Sequence, residues 1–378
     1  MMSAPLEGLR VIELARILAG PWIGQTLADL GADVIKVESA EGDDTRRWGP
    51  PYLNDGQEES AAYFHACNRG KRGVVLDFAT QEGQATVKAL IQTADVVIEN
   101  FKVGGLAKYG LDYASLAKVN PRLIYCSITG FGQTGPQAHK AGYDFMIQGM
   151  SGIMDLTGEP DGPPQKVGVA FADIFSGLYG VVGIQAALLQ RAQTGRGQQV
   201  DISLLDCMGG VLANQAMNYL ATGTAPKRLG NAHPNIAPYQ TVTVLDGHII
   251  IACGNDAQFA RLAILLDLAD MALDPRFATN GARVENRTQL TDAIEGKTRL
   301  WTKADILARL DAIGVPAGPI NTVAELFADA QFTARRMKID VDGVPGVRTP
   351  IVFSDAELAL SRRSPRLGEH TDEILKGL

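Results

Sequence analysis

Between Gly168 and Gly177 the chain reads Gly-Val-Ala-Phe-Ala-Asp-Ile-Phe-Ser-Gly, and Asp173 is its only charged residue. A lone carboxylate among small and apolar neighbours can accept a backbone N–H as a helix N-cap, or it can serve as a nucleophile. The run from Ile174 to Gln193 sets Leu178, Val181, Val182, Ile184, Leu188 and Leu189 at helical spacing, so either use puts Asp173 at or beside a helix start. The stretch by itself leaves both open. Other constellations are weaker. The loop Gly130-Phe131-Gly132-Gln133-Thr134-Gly135 is glycine-rich but lacks the Lys-Ser/Thr that completes a phosphate cradle. The histidines at 65, 139, 233, 248 and 370 share no metal-ligand spacing, and Cys67, Cys126, Cys207 and Cys253 form no Cys-x-x-Cys pair. Structural histidines and buried thiols are expected, without a metal site or a disulfide framework.

The elements that must position Asp173 alternate strand and helix. Short apolar runs at Arg10–Leu14, Asp33–Val37, Gly73–Asp77, Asp95–Glu99 and Leu123–Ser127 read as strands, with helical patterns at Trp22–Leu30, Glu82–Thr93 and Tyr113–Val119 between them. That alternation predicts an α/β fold with a Rossmann-like, doubly wound parallel sheet. Its first turn, Ala15-Arg16-Ile17-Leu18-Ala19-Gly20-Pro21, lacks the glycines that admit a dinucleotide pyrophosphate, which excludes NAD, and Glu38 then reads as a solvated strand end. A second helix is expected over Leu205–Leu220, and residues 1–220 form the first part of the large domain. Residues 221–238, rich in Gly, Pro, Ala and Asn, read as a linker. Residues 239–330 read as a smaller inserted α/β domain opened by a hairpin around Leu245-Asp246-Gly247, and 331–378 as a return segment completing the large domain.

Taken in order, Ala19-Gly20-Pro21, Glu99-Asn100-Phe101, Gly142-Tyr143-Asp144, Asp161-Gly162-Pro163-Pro164, Thr194-Gly195-Arg196-Gly197-Gln198 and Leu367-Gly368-Glu369-His370-Thr371 make the chain resemble the class III, formyl-CoA transferase-like CoA-transferases over essentially its whole length. The resemblance implies that Asp173 carries the acyl group and then CoA. It also implies coenzyme A as a substrate rather than a prosthetic group, with Ile17, Leu18, Leu76, Asn100, Phe101, Lys108 and Lys140 as its neighbours. Where formyl-CoA transferases have an Arg near the adenine this chain has Ser39, so Arg46 or Arg47 is the expected substitute. The segment Gly230–Gln240 looks like the succinate–hydroxymethylglutarate CoA-transferase branch, which implies dicarboxylate substrates with succinyl-CoA as donor. Arg16 is the candidate for holding the second carboxylate, its alternatives being exposure to solvent or a pair with Glu13. Related α-methylacyl-CoA racemases have His where this chain has Tyr143, and a phenol that titrates near pH 10 is a poor general base. Racemase is therefore the alternative activity, followed by a non-catalytic acyl-CoA binder, and Tyr143 is retained as a substrate-site residue.

The family resemblance further implies a homodimer of interlocked chains. The net charge of −7 disfavours nucleic acid as a partner. Met1–Gly8 has neither a basic nor an apolar leader region, and no stretch offers 18 consecutive apolar residues, so the expected compartment is the cytoplasm, with no membrane partner.

Overall fold

The computed structural model describes residues 3–54 and 56–378; Met1 and Met2 of the opening segment lie outside them. These residues form two compact units. The larger comprises residues 3–54, 56–153, 167–212 and 330–378, and the smaller 154–166 and 213–329.

The larger unit is built on six strands: β1 (Arg10–Glu13), β2 (Asp33–Glu38), β3 (Arg72–Val75), β4 (Val96–Glu99), β5 (Ile124–Thr129) and β6 (Gln198–Ser203). All pairings are parallel and the spatial order is β3-β2-β1-β4-β5-β6, with Ile12 opposite both Ile35 and Val97. Alternation along each strand separates two cores. Val11, Val34, Val96, Ile98, Ile124 and Cys126 face one core, while Ile12, Ile35, Val97 and Tyr125 face the other. Helices α1 (Ala19–Asp29) and α5 (Phe171–Thr194) contribute to the first core; α2 (Gln81–Gln92) and α3 (Tyr113–Val119) contribute to the second. Chain direction reverses its winding between β1 and β4, so a crevice opens beyond the carboxyl ends of those two strands.

By length and apolar content α5 could cross a membrane, but here it packs along α1, β5 and β6. Gly177 allows that approach, since a methyl there would lie 3.1 Å from the Ala19 carbonyl and 3.0 Å from Trp22 Cδ1. Gly195, in the left-handed region at φ 74°, ends the helix. The Leu367–Thr371 motif covers edge strand β3: His370 N–H donates to the Gly73 carbonyl at 2.9 Å, and the Val75 N–H donates to Thr371 Oγ1 at 3.2 Å.

Sequence and structure differ at several points. The helix expected over Leu205–Leu220 is two helices, α6 (Leu204–Val211) and α7 (Ala213–Thr222), because Ala213 adopts φ 47° after a Gly209-Gly210 pair that weakens the helix interior. Glu38 is no solvated strand end: it is 4% exposed and receives both ends of the Arg46 guanidinium at 2.8 Å. Arg46, stacked 3.7 Å from the Phe64 ring centroid and also paired with Glu58, is committed to the protein interior rather than to an adenine. All four cysteines are free and buried.

In the smaller unit, β7 (Tyr239–Val244) and β8 (Gly247–Ala252) form the expected antiparallel hairpin around Leu245-Asp246, and Ala317–Pro319 adds a third strand beside β8. Helices Asp256–Leu265, Arg287–Thr298 and Lys303–Ala312 cover it, enclosing a separate core of Val242, Ile249, Phe259 and Leu290.

Candidate active site

The crevice beyond β1 and β4 holds a cavity of about 260 Å³ lying wholly within the larger unit. Its walls come from the turn after β1 (Arg16 to Ala19), the segment after β4 (Asn100 to Val103), the end of β5 (Ile128 to Gly130), Tyr143 and the first turn of α5. Asp173 lies on that wall, half-buried, as the third residue of α5.

The N-cap reading of Asp173 fails on geometry. Ala170 occupies the cap position, and the cap bond is supplied from elsewhere: the Ala172 N–H donates to Asp144 Oδ1 at 2.8 Å. Asp144 opens helix α4 (Asp144–Met150) and accepts a second bond, at 2.8 Å, from Gln148 Nε2. Among the described residues, none donates a hydrogen bond to the Asp173 carboxylate or forms an ion pair with it. Burial, with the Asp144 charge adding to it, pushes the Asp173 carboxyl up to about 7. Tyr63 feels the same charge. Its hydroxyl, pushed up to about 12 by burial and then by Asp173, stays protonated.

The turn after β1 is the most constrained part of the wall. Ile17, a β-branched residue, sits at φ 74°, in a region such residues rarely enter. Its N–H donates to Asp43 at 3.2 Å. The Asn100 side chain grips the preceding residue, accepting from the Arg16 N–H at 2.9 Å and donating to the Arg16 carbonyl at 2.7 Å. Asp43 is itself fixed from below. Burial opposes its ionisation, but the Lys36 ammonium at 2.9 Å and bonds from Thr45 hold it down at about 2. Lys36 also reaches Glu13 at 3.1 Å, and Lys71 reaches Glu13 at 2.8 Å, all four side chains being fully buried. Glu13 is thereby committed to the lysines, and Arg16 pairs instead with Asp44 at 3.0 Å, its side chain 52% exposed. Helix α1 begins at Ala19 with no side-chain cap and no acid in its first turn, so its leading N–H groups are available where Leu18 and Ala19 line the cavity.

A third constraint comes from two glycines. A methyl on Gly130 would meet the Gly142 Cα at 2.5 Å, so the end of β5 and the Gly142-Tyr143-Asp144 segment touch backbone to backbone beside the cavity.

Of the residues singled out in the sequence, Arg16, Ile17, Leu18, Asn100, Phe101, Lys140, Tyr143 and Asp173 line this one cavity. Leu76 and Lys108 do not. Leu76 packs on the core beneath, and the Lys108 ammonium lies 4.6 Å from the Tyr109 ring centroid. Tyr143 is 66% exposed. Lys102 also lies on the cavity wall, and sequence reasoning missed Asp43. Asp43 had a local signal, since Asp-x-Thr marks the start of a capped turn, here the 3₁₀ turn Asp44–Arg47. The cavity thus brings together an unpartnered carboxylate, an uncapped helix N-terminus and a rim bearing Arg16, Lys102 and Lys140. That set can attack an electrophilic carbonyl, offer N–H groups to the resulting oxyanion and hold anionic ligands.

Over 99% of this chain and 96% of its own length, the succinate–glutarate CoA-transferase of Agrobacterium fabrum is 58% identical. Over 98% and 86%, the succinyl-CoA:glutarate CoA-transferase of Mus musculus is 40% identical. A crystal structure of a CaiB/BaiF family protein from Brucella suis superposes with a TM-score of 0.90 at 68% identity, covering 100% of both chains. The sequence profile of CoA-transferase family III matches residues 6–371, and the chain belongs to that family.

Proposed function

We propose that this enzyme moves CoA from succinyl-CoA to a second small dicarboxylic acid, such as glutarate, through a thioester on Asp173. The observation that carries the reading is the Asp173 carboxylate, free of hydrogen bonds in a cavity at the sheet's switch point while Asp144 does the capping. The printed names of the two curated relatives, both dicarboxylate CoA-transferases, support the substrate class.

Asp173 attacks the donor thioester carbonyl, and CoA leaves as its thiolate, giving a succinyl–aspartyl anhydride. The thiolate attacks the aspartyl carbonyl, and succinate departs, leaving aspartyl-CoA. The acceptor carboxylate then attacks that thioester; CoA leaves again, and its thiolate attacks the acceptor carbonyl of the second anhydride. The new acyl-CoA is released and the Asp173 carboxylate restored. Donor and product are both CoA thioesters of similar energy, so no ATP is consumed. The leading N–H groups of α1, at Ala19 and Gly20, serve the oxyanions. Asn100 and Phe101 support the pantetheine arm, Lys140 the phosphates, and Arg16 the distal carboxylate, exchanging Asp44 for the substrate. Leu76 and Lys108 belong to the outer reach of the nucleotide. Tyr143, whose hydroxyl has no hydrogen-bond partner among the described residues, closes the acyl side by contact.

A homodimer belongs to the same proposal, as does a cytoplasmic compartment. Along α5 and α4 the side chains of Leu178, Tyr179, Val182, Phe145 and Met146 are exposed, an apolar surface suited to a second copy. The direct test of the chemistry is Asp173→Ala: transfer should fall by roughly 10³-fold or more, while affinity for CoA stays within a few-fold. Transfer near the original rate would return Asp173 to a structural role, and exchange of the α-proton of a 2-methylacyl-CoA would favour the racemase.

A further inference from the structure

The mechanism above leaves unused a fully buried quartet, Glu13, Lys36, Lys71 and Asp43, directly behind the cavity wall. Burying four ionisable side chains is expensive, and replacing such groups by apolar ones is often neutral or stabilising. A fold that needed only a core would not require them at this place.

Their contacts converge on the backbone of one turn. Lys36 Nζ donates to the Ala15 carbonyl at 2.9 Å, and Lys71 Nζ donates to the Pro21 carbonyl at 2.9 Å, which fixes both ends of the segment. Asp43 accepts the Ile17 N–H in the middle, and Cys67 Sγ lies 3.5 Å from the Ile17 carbonyl. Ile17 is also the residue whose left-handed φ is least favourable for its type. A β-branched residue persists there only where the surroundings over-determine it.

We propose that Asp43 is a positioning residue: by accepting the Ile17 N–H within the Glu13–Lys36–Lys71–Asp43 quartet it holds the strained Arg16–Ile17–Leu18 turn in the one shape that aims the start of α1 at the acyl group on Asp173. The inference rests on the proposed role of Asp173. Relaxation of Ile17 toward negative φ would swing Leu18 and the leading N–H groups of α1 away from the cavity without emptying the core. Asp43 touches no substrate, so its effect falls on kcat more than on the KM for the CoA ester.

The experiment is a double-mutant cycle of Asp43→Asn and Ile17→Gly, read two ways. Glycine enters the left-handed region freely, so Ile17→Gly removes the strain that Asp43 opposes. In ligand-free protein, amide exchange of the peptide spanning residues 16 to 18 should quicken on Asp43→Asn. In transfer assays, Asp43→Asn should lower kcat by roughly 10²-fold in the Ile17 background, as expected for a misaligned oxyanion donor, but by about tenfold less in the Ile17→Gly background. If Asp43→Asn yields no folded protein, Thr45→Val, which removes the 2.8 Å bond that aims Asp43, carries the same comparison with a smaller loss. Unchanged exchange overturns the positioning role. Quickened exchange with the same kcat loss in both backgrounds, or with no kcat loss, overturns its link to the reaction. Failure of the Asp173 reading is seen separately, as transfer that survives Asp173→Ala.

Discussion

Asp173 differs from an ordinary surface aspartate in its proton affinity. With its carboxyl raised to about 7 by burial and by Asp144, it is about half ionised at neutral pH, and only the ionised form attacks. The acid limb of kcat/KM should therefore bend at about pH 7 and fall about tenfold per unit below it, whereas Asp144→Asn should move the bend to lower pH by removing the repelling charge. A bend near the usual carboxylate range in the parent enzyme contradicts this environment. The same shift has a stability consequence. The folded state binds more protons than the unfolded one between about pH 4 and 7, so stability falls as pH rises through that window. Asp173→Asn removes the effect, and its melting temperature relative to the parent should rise across pH 4 to 7 and level off above. Arg16 carries the specificity claim. Its pair with Asp44 is exposed and contributes little to stability, so it is free to change partners. Arg16→Ala should weaken dicarboxylate acceptors by about 1.5–3 kcal/mol in kcat/KM while sparing monocarboxylates; equal losses for both would assign Arg16 to the turn.

At the scale of elements, the strands were legible because parallel strands buried on both faces are continuous apolar runs, as in Val96–Glu99 and Ile124–Thr129. What the sequence concealed depends on partners far apart in the chain. Glu13 meets Lys71 from 58 residues away, and Asp144 caps Ala172 from 28. No local pattern announces either, which is why the Asp173 stretch by itself read as a cap and why Glu13 looked available to Arg16. The Gly130–Gly142 approach is of the same kind, and it makes a prediction about elements. Gly142→Ala should destabilise the protein by about 1–3 kcal/mol through overpacking. It should also lower transfer beyond what the loss of folded enzyme explains, because Asp144 and Tyr143 move with it. A stable variant with unchanged kinetics would mean that the segment adapts without disturbing the site.

For the whole molecule, Ala330–Leu378 belongs to the larger unit, and residues 348–370 run there without regular secondary structure. Long irregular segments are uncommon in compact domains and fit an assembly better than a lone chain. An apolar surface on α4 and α5 points the same way. The protein should sediment as a dimer that persists on dilution, because interlocked chains separate only by unfolding; a reversible monomer–dimer equilibrium would remove the interlocking. The central claim, however, is that Asp173 carries CoA, and it can be observed on the protein itself. Incubating the enzyme with succinyl-CoA in the absence of acceptor, quenching with hydroxylamine and analysing the peptides by mass spectrometry should give a hydroxamate at Asp173, absent from the Asp173→Asn variant. Rapid transfer to glutarate in the same preparation, with Asp173 recovered unmodified, would contradict the account.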